Sequence, residues 1–486
     1  MAPGVIARTA AGLVEGKAEE GVLAFLGVPY AAPPFGERRF GAPVAVPPWD
    51  GVRQAVTRGA AAPQAAGEDV GLYAPDVFEV GEDCLNLDIH TPVPGASGPL
   101  PVLFWIHGGA FAIGGNGAAW HQGHRFARDG IVCVAINYRL GFEGFLALDD
   151  APLNRGVLDW LAALEWVRDN IAAFGGDPGN VTIAGQSAGG AAVATLLAMP
   201  RAAGLFHRAI VMSGSATLVA GEQDARSYAK ALAARLGIEP TRAAFARLPP
   251  AALVAEQPPP LAGDSGGLAE SVPIKPVVDG DLIPAVPLTA LRGDVPLLAG
   301  CTSEEADVFV RRLVADIDEA SAQALITHLD AQAPAPAIPA PVPAAPAIPA
   351  PVFADPAIPA PVPADPASTL ADPALTPAER VGRAFTRHLF TRETRWIHQA
   401  RPAYAYEFDW PSPVESPVGG GRVGAVHNLD LPFVFDLLDA PGVERTAGPD
   451  APQSLADAMH AAWVRFVRTG DPGWPLGNTK IFNGDS

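Results

Sequence analysis

A chain of 486 residues, 49% apolar and only 17% charged, is long enough to bury a large core and too apolar to be disordered. Its net charge of −19, with no Lys/Arg cluster, argues against a surface that tracks nucleic-acid phosphates. Three widely spaced cysteines, Cys84, Cys133 and Cys301, match neither a disulfide framework nor a zinc spacing.

The first hundred residues alternate short apolar runs with Gly/Pro turns, which predicts a set of short strands. The opening M-A-P-G-V-I-A-R-T-A lacks the basic-then-apolar order of a secretory signal. No apolar run reaches the ~18–20 residues of a membrane helix. A cytoplasmic protein with no membrane partner is therefore expected. Compact apolar runs at Pro101–His107 and Ile131–Tyr138 predict buried strands. From Asn154 to Phe174 the apolar residues Val157, Leu161, Leu164, Val167 and Ile171 recur at helical spacing. Val181–Ala184 reads as a strand, Ala188–Met199 as a helix, and Ala209–Ser213 and Val295–Ala299 as two more buried strands. Apolar strands separated by helices predict an α/β fold, its central sheet mostly parallel but mixed and covered by helices on both faces.

Residues 335–367 break the pattern with a ten-residue repeat, A-P-A-I-P-A-P-V-P-A and its variants. Proline this dense forbids helix and sheet ladders and favours polyproline II. The expectation is one catalytic domain over residues 1–486, interrupted by a solvated, semi-rigid insert. A docking site for a proline-recognising partner, or part of a flap over the site, is the sharper alternative. A helical pattern resumes over Pro377–Arg392, and apolar blocks at Ala403–Phe408 and Ala458–Thr469 complete the chain.

The chemistry centres on V-T-I-A-G-Q-S-A-G-G, residues 181–190. Ser187, with glycines two residues before and after it, fits a strand-to-helix turn too tight for larger neighbours. Such a turn lifts the hydroxyl out of the sheet and sets the Ala188 N–H beside it. Serine alone is a poor nucleophile, so a histidine base, a carboxylate and an oxyanion hole should accompany it. Among the later histidines, His388, His398 and His460 sit in helix-like context, His207 lies close to the Ser187 turn, and His328 borders the repeat. His427, in the loop G-A-V-H-N-L-D-L-P-F, combines freedom to reach the serine with an anchored flank. The acid should follow the strand at Val295–Ala299, where Glu304, Glu305 and Asp307 are all candidates. W-I-H-G-G-A-F (105–111) turns at His107, Gly108, Gly109 and Ala110, and small residues there let backbone N–H groups approach a developing oxyanion. His121 and His124 resemble half of a metal site, but catalytic zinc needs a third ligand, and no metal or organic cofactor is expected.

With these residues in hand, the chain resembles the type-B carboxylesterases, a family that includes bacterial para-nitrobenzyl esterases, liver carboxylesterases and cholinesterases. The landmarks run in order from about Thr9 to Phe482: F-L-G-V-P-Y-A, E-D-C-L-N-L-D-I, W-I-H-G-G-A-F, N-Y-R-L-G-F and F-G-G-D-P-G-N-V-T-I-A-G-Q-S-A-G-G, then the acid and histidine loops. The resemblance implies an α/β-hydrolase fold and cofactor-free hydrolysis of small carboxylic esters through an acyl-enzyme. It places the nucleophile on Ser187, the acid on Glu305, the base on His427, and the oxyanion N–H groups on Gly109, Ala110 and Ala188. Ser213 matches a buried supporting serine; Phe111, at the end of the glycine loop, is expected to border the substrate pocket. Gln186 stands where a glutamate is frequent, a change that bears on histidine basicity and on preference for cationic substrates. Ala62 stands in the position of the cysteine that partners Cys84 in secreted relatives, so that bridge cannot form. A carbamate or amide hydrolase with the same triad, and a catalytically silent docking protein of the same fold, are the alternatives.

Overall fold

The structure is a computed structural model that describes residues 5–19, 21–65, 78–93, 98–258, 272, 274–311, 314–331, 375–417 and 421–484. The proline repeat at 335–367 lies outside the described residues.

Sixteen strands are described: β1 (Val5–Arg8), β2 (Leu13–Glu19), β3 (Val22–Pro29), β4 (Val52–Gln54), β5 (Asn86–Pro92), β6 (Leu100–Ile106), β7 (Val132–Ile136) and β8 (Gly176–Gln186) come first. β9 (Arg208–Met212), β10 (Ala220–Gly221), β11 (Val277–Val278), β12 (Leu297–Thr302), β13 (Tyr404–Phe408), β14 (Ser412–Glu415), β15 (Arg422–Gly424) and β16 (Thr479–Phe482) follow. One large sheet runs in the order β1-β2-β3-β5-β7-β6-β8-β9-β12-β13-β16, with β4 beside β2. From β7 to β16 every neighbour is parallel, whereas β1, β2, β3, β5 and β7 pair antiparallel in succession. This is the mixed, mostly parallel sheet of an α/β-hydrolase.

The apolar runs explain the layering. Strand side chains alternate between faces, and here both faces are covered. Val102, Phe104 and Ile106 of β6 join the core that includes helix Arg155–Asn170 and helix Ala188–Ala198. Leu103 and Trp105 of the same strand join the opposite core, which includes helix Gln453–Thr469. β7 divides likewise, with Val132, Val134 and Ile136 on one side and Cys133 and Ala135 on the other.

The helical pattern expected over Pro377–Arg392 is present, with an irregularity in its middle. The segment is helical over Pro377–Thr386, widens to a π-helical turn over Arg387–Thr391, and continues as helix Arg392–Ala400. Periodicity alone does not reveal a π turn, which adds a residue within a helical run. The strand expected at Val295–Ala299 lies at Leu297–Thr302, so its carboxyl end falls directly before the acidic loop.

Candidate active site

Ser187 ends up where the sheet's carboxyl edge meets a helix N-terminus. β8 stops at Gln186 and helix Ala188–Ala198 begins at once, leaving Ser187 at φ +58 and ψ −123. A non-glycine residue at positive φ is strained by about 1–3 kcal/mol and persists only where its surroundings enforce it. The enforcement is visible. The Ser187 N–H donates to Met212 O at 2.9 Å, and its carbonyl accepts from Ala191 N at 2.9 Å. A Cβ on Gly185 would lie 2.4 Å from Gly189 O, and one on Gly189 only 2.0 Å from Ile106 O. Both glycines are required by backbone approach.

The glycine loop after β6 closes over this turn. A Cβ on Gly108 would sit 3.2 Å from Ser187 Cβ and 2.7 Å from Gln186 O. Gly109, Ala110 and Phe111 follow at φ +103, +53 and +58, three positive values in a row. Among the described residues the Gly109 and Ala110 N–H groups have no hydrogen-bond acceptor. The loop is held from behind. Gly114 exchanges two hydrogen bonds with the Gln64 side chain, at 2.7 and 2.8 Å. The His107 ring, buried and pushed down to about 4 by desolvation, is neutral and donates from Nδ1 to Gly108 O at 2.8 Å. It stacks on Tyr138 at 4.5 Å.

Three acidic candidates follow β12, and the structure separates them. Glu305 is fully buried; its Oε2 pairs with His427 Nδ1, and its Oε1 accepts the Thr302 N–H at 2.8 Å. Glu304 instead holds the histidine loop, accepting the Ala425 N–H at 2.9 Å and pairing with Arg383 at 3.4 Å. Asp307 pairs with Arg311 at 2.7 Å, and burial lifts its carboxyl to about 6. His427 is buried, donates its backbone N–H to Glu305 O at 3.4 Å, and lies 4.9 Å from the Phe390 ring. Gln186, the residue before Ser187, brings its Nε2 to 3.2 Å from His427 Nε2. The sheet thus gathers Ser187, Gln186, Glu305 and His427 at one edge.

The other histidines are engaged elsewhere. His207 accepts the Val181 N–H at 3.1 Å, His398 Nε2 lies 3.2 Å from Ala299 O, and His460 Nδ1 lies 2.7 Å from Val434 O. His328 lies in helix Glu319–Ala331 and His388 in the π turn. His121 packs on Trp105 at 5.4 Å, and His124 lies 6.2 Å from His90.

Comparisons with known proteins agree with this geometry. The sequence profile of the Carboxylesterase family matches residues 3–480. The chain belongs to the carboxylesterase family. It is 34% identical to the para-nitrobenzyl esterase of Bacillus subtilis (strain 168), over 97% of this chain and 92% of that protein. It is 35% identical to the phenmedipham hydrolase of Pseudarthrobacter oxydans, over 96% of this chain and 90% of that protein. The solved carboxylesterase of Geobacillus stearothermophilus superposes with a TM-score of 0.76 at 32% identity, covering 99% of this chain and 96% of that one.

Within this carboxylesterase, Ser213 follows β9 at φ +49, with its N–H on Gly300 O at 2.8 Å and its Oγ buried without a partner among the described residues. Phe111 requires correction as a pocket-lining residue. Its ring is fully buried, 5.2 Å from Phe145 and 5.9 Å from Trp160, so it anchors the glycine loop from inside the core. Two groups escaped the sequence reading. Thr386 Oγ1 accepts the Ala306 N–H at 2.9 Å, bracing the acidic loop from helix Pro377–Thr386. Asp430, buried beneath the histidine, accepts from Tyr406 Oη at 3.1 Å. It opens helix Asp430–Val434, directly after the turn that carries His427. All three cysteines are free and buried. No helix among the described residues is long and apolar enough to cross a membrane.

Proposed function

We propose that this ester hydrolase works through a Ser187–His427–Glu305 triad, with Gly109, Ala110 and Ala188 N–H groups as its oxyanion hole. His427 Nε2 takes the Ser187 hydroxyl proton as Oγ attacks the ester carbonyl carbon. Glu305 fixes the imidazole tautomer through Nδ1–H and stabilises the charged ring. The carbonyl oxygen becomes an oxyanion held by the three N–H groups. Collapse breaks the ester C–O bond, and the departing alcohol takes its proton from His427. Water, deprotonated by the same imidazole, then attacks the acyl-enzyme; collapse frees the acid and returns the proton to Ser187. Ser213 supports the turn from β9.

The observation that carries this reading is the buried Glu305–His427 pair, with the residue preceding Ser187 in contact with the imidazole. Ser187→Ala should abolish hydrolysis of short-chain aryl esters and labelling by a fluorophosphonate, with the fold intact. Near-normal turnover would reject the assignment.

A second reading, carbamate cleavage by the same groups, is favoured by the likeness to a phenmedipham hydrolase. A panel of esters and aryl carbamates, varied separately in acyl and leaving groups, decides between them. We further propose one catalytic domain in a cytoplasmic setting, consistent with the free cysteines, with the 335–367 repeat as a solvated insert, docking of a proline-recognising partner being the alternative. Deleting the repeat without change in activity or complexes would remove the docking role.

A further inference from the structure

The Gln186 side chain spans from the oxyanion loop to the base. Its Oε1 faces Gly108, 3.3 Å from where a Cβ on that residue would lie. Its Nε2 lies 3.2 Å from His427 Nε2 and 3.4 Å from His427 Nδ1. The residue is only 2% exposed.

The near-equality of the two distances is informative. The ring nitrogens share one carbon neighbour, Cε1, and their lone pair and N–H bond diverge within the ring plane. An atom in that plane and this close to both nitrogens would collide with Cε1. The amide therefore rests on the face of the imidazole. The in-plane Nδ1–H remains with Glu305.

We propose that Gln186 is a positioning residue for the base: its neutral amide, wedged between Gly108 and the ring face, fixes the tilt of His427 without placing a charge on it. This rests on the triad reading above. Glu305 from the acidic loop and Asp430 from the histidine's own turn are ionisable groups acting on the ring, and Phe390 from the π turn contacts it. A carboxylate at position 186 would add a negative charge at the ring face and favour the imidazolium.

The test is the pH dependence of kcat/KM for wild type, Gln186→Glu and Gln186→Met on an uncharged aryl ester. In Gln186→Glu the acid limb should move up by about 1–3 pH units. Gln186→Met keeps the volume but loses the amide; its kcat should fall by at least about tenfold, a fraction of what general acid–base catalysis contributes, while KM stays within about twofold. Fluorophosphonate labelling reports that each variant has a formed site. An unmoved acid limb in Gln186→Glu, or an unchanged kcat in Gln186→Met, overturns the proposal. If these variants behave as wild type while Ser187→Ala is dead, this inference alone fails. An active Ser187→Ala removes the triad beneath it.

Discussion

Glu305 divides its carboxylate between two partners, giving Oε2 to His427 Nδ1 and Oε1 to the Thr302 N–H at 2.8 Å. One oxygen is thus fixed by the end of β12, so the other meets the imidazole from a set direction. Under the proposed triad, Glu305→Gln keeps the shape but removes the charge that would stabilise the imidazolium, and it admits the wrong tautomer. Its kcat should fall by about 10³–10⁴-fold. Glu304→Gln loses an ion pair with Arg383 but not the contact to the base, so its kcat should change far less. Steady-state kinetics on both variants check the assignment; equal losses would contradict it.

Much of the proposed site was legible in the sequence because its turns carry local signatures. Gly185 is forced by Gly189 O within one strand-turn-helix unit and Gly189 by Ile106 O of the neighbouring β6, and the apolar runs mark strands buried on both faces. The acid was not separable on sequence grounds alone. Glu304, Glu305 and Asp307 follow the same strand, and which one faces the histidine depends on a tertiary contact with the 424–427 loop. Phe111 was misplaced for a related reason. A positive φ at Ala110 and Phe111 turns the ring inward towards Trp160, and composition does not encode that torsion. The Gln64 clamp on Gly114 spans 50 residues and leaves no local trace.

Gly109 stands at φ +103, and a Cβ there would lie 2.1 Å from Ile113 O. Backbone cannot yield that distance without moving the two N–H groups proposed for the oxyanion. Gly109→Ala should lower kcat by about 10²–10³-fold, the effect of losing one oxyanion donor. The Glu305–His427 pair lies outside the distorted loop, so fluorophosphonate labelling should slow but still reach completion. Wild-type kcat in a folded Gly109→Ala enzyme would show that this loop does not hold the oxyanion.

The loop's outer support depends on a buried ion pair. Arg139, 1% exposed, pairs with Asp159, which is fully buried, at 2.7 Å and also donates to Gly41 O at 2.6 Å. Two residues on, the Gly141 N–H donates to Phe111 O at 2.6 Å. Asp159→Asn strands a buried guanidinium, so it should cost about 3–5 kcal/mol of stability. A lower thermal midpoint and faster loss of activity on warming are the expected signs. An unchanged midpoint would mean that Arg139 finds compensation elsewhere.

Asp430 gives the site a pH-dependent component. Burial, and then the nearby Glu305 charge, raise its carboxyl to about 7. A raised folded-state value means that the folded protein holds this proton more tightly than the unfolded chain does. The resulting stability is fully present below the ordinary carboxylate range, near ~4, and is lost as pH rises through about 7. Asp430→Asn keeps an acceptor for Tyr406 Oη and carries no titrating proton. Its thermal midpoint should sit at or below that of wild type near pH ~5 and gain on wild type as pH rises to ~8, since only wild type then ionises a buried group. Melts of both proteins across that range read out the difference directly. A gap that stays constant with pH would show that Asp430 holds the same protonation state in the folded and unfolded chain throughout the interval.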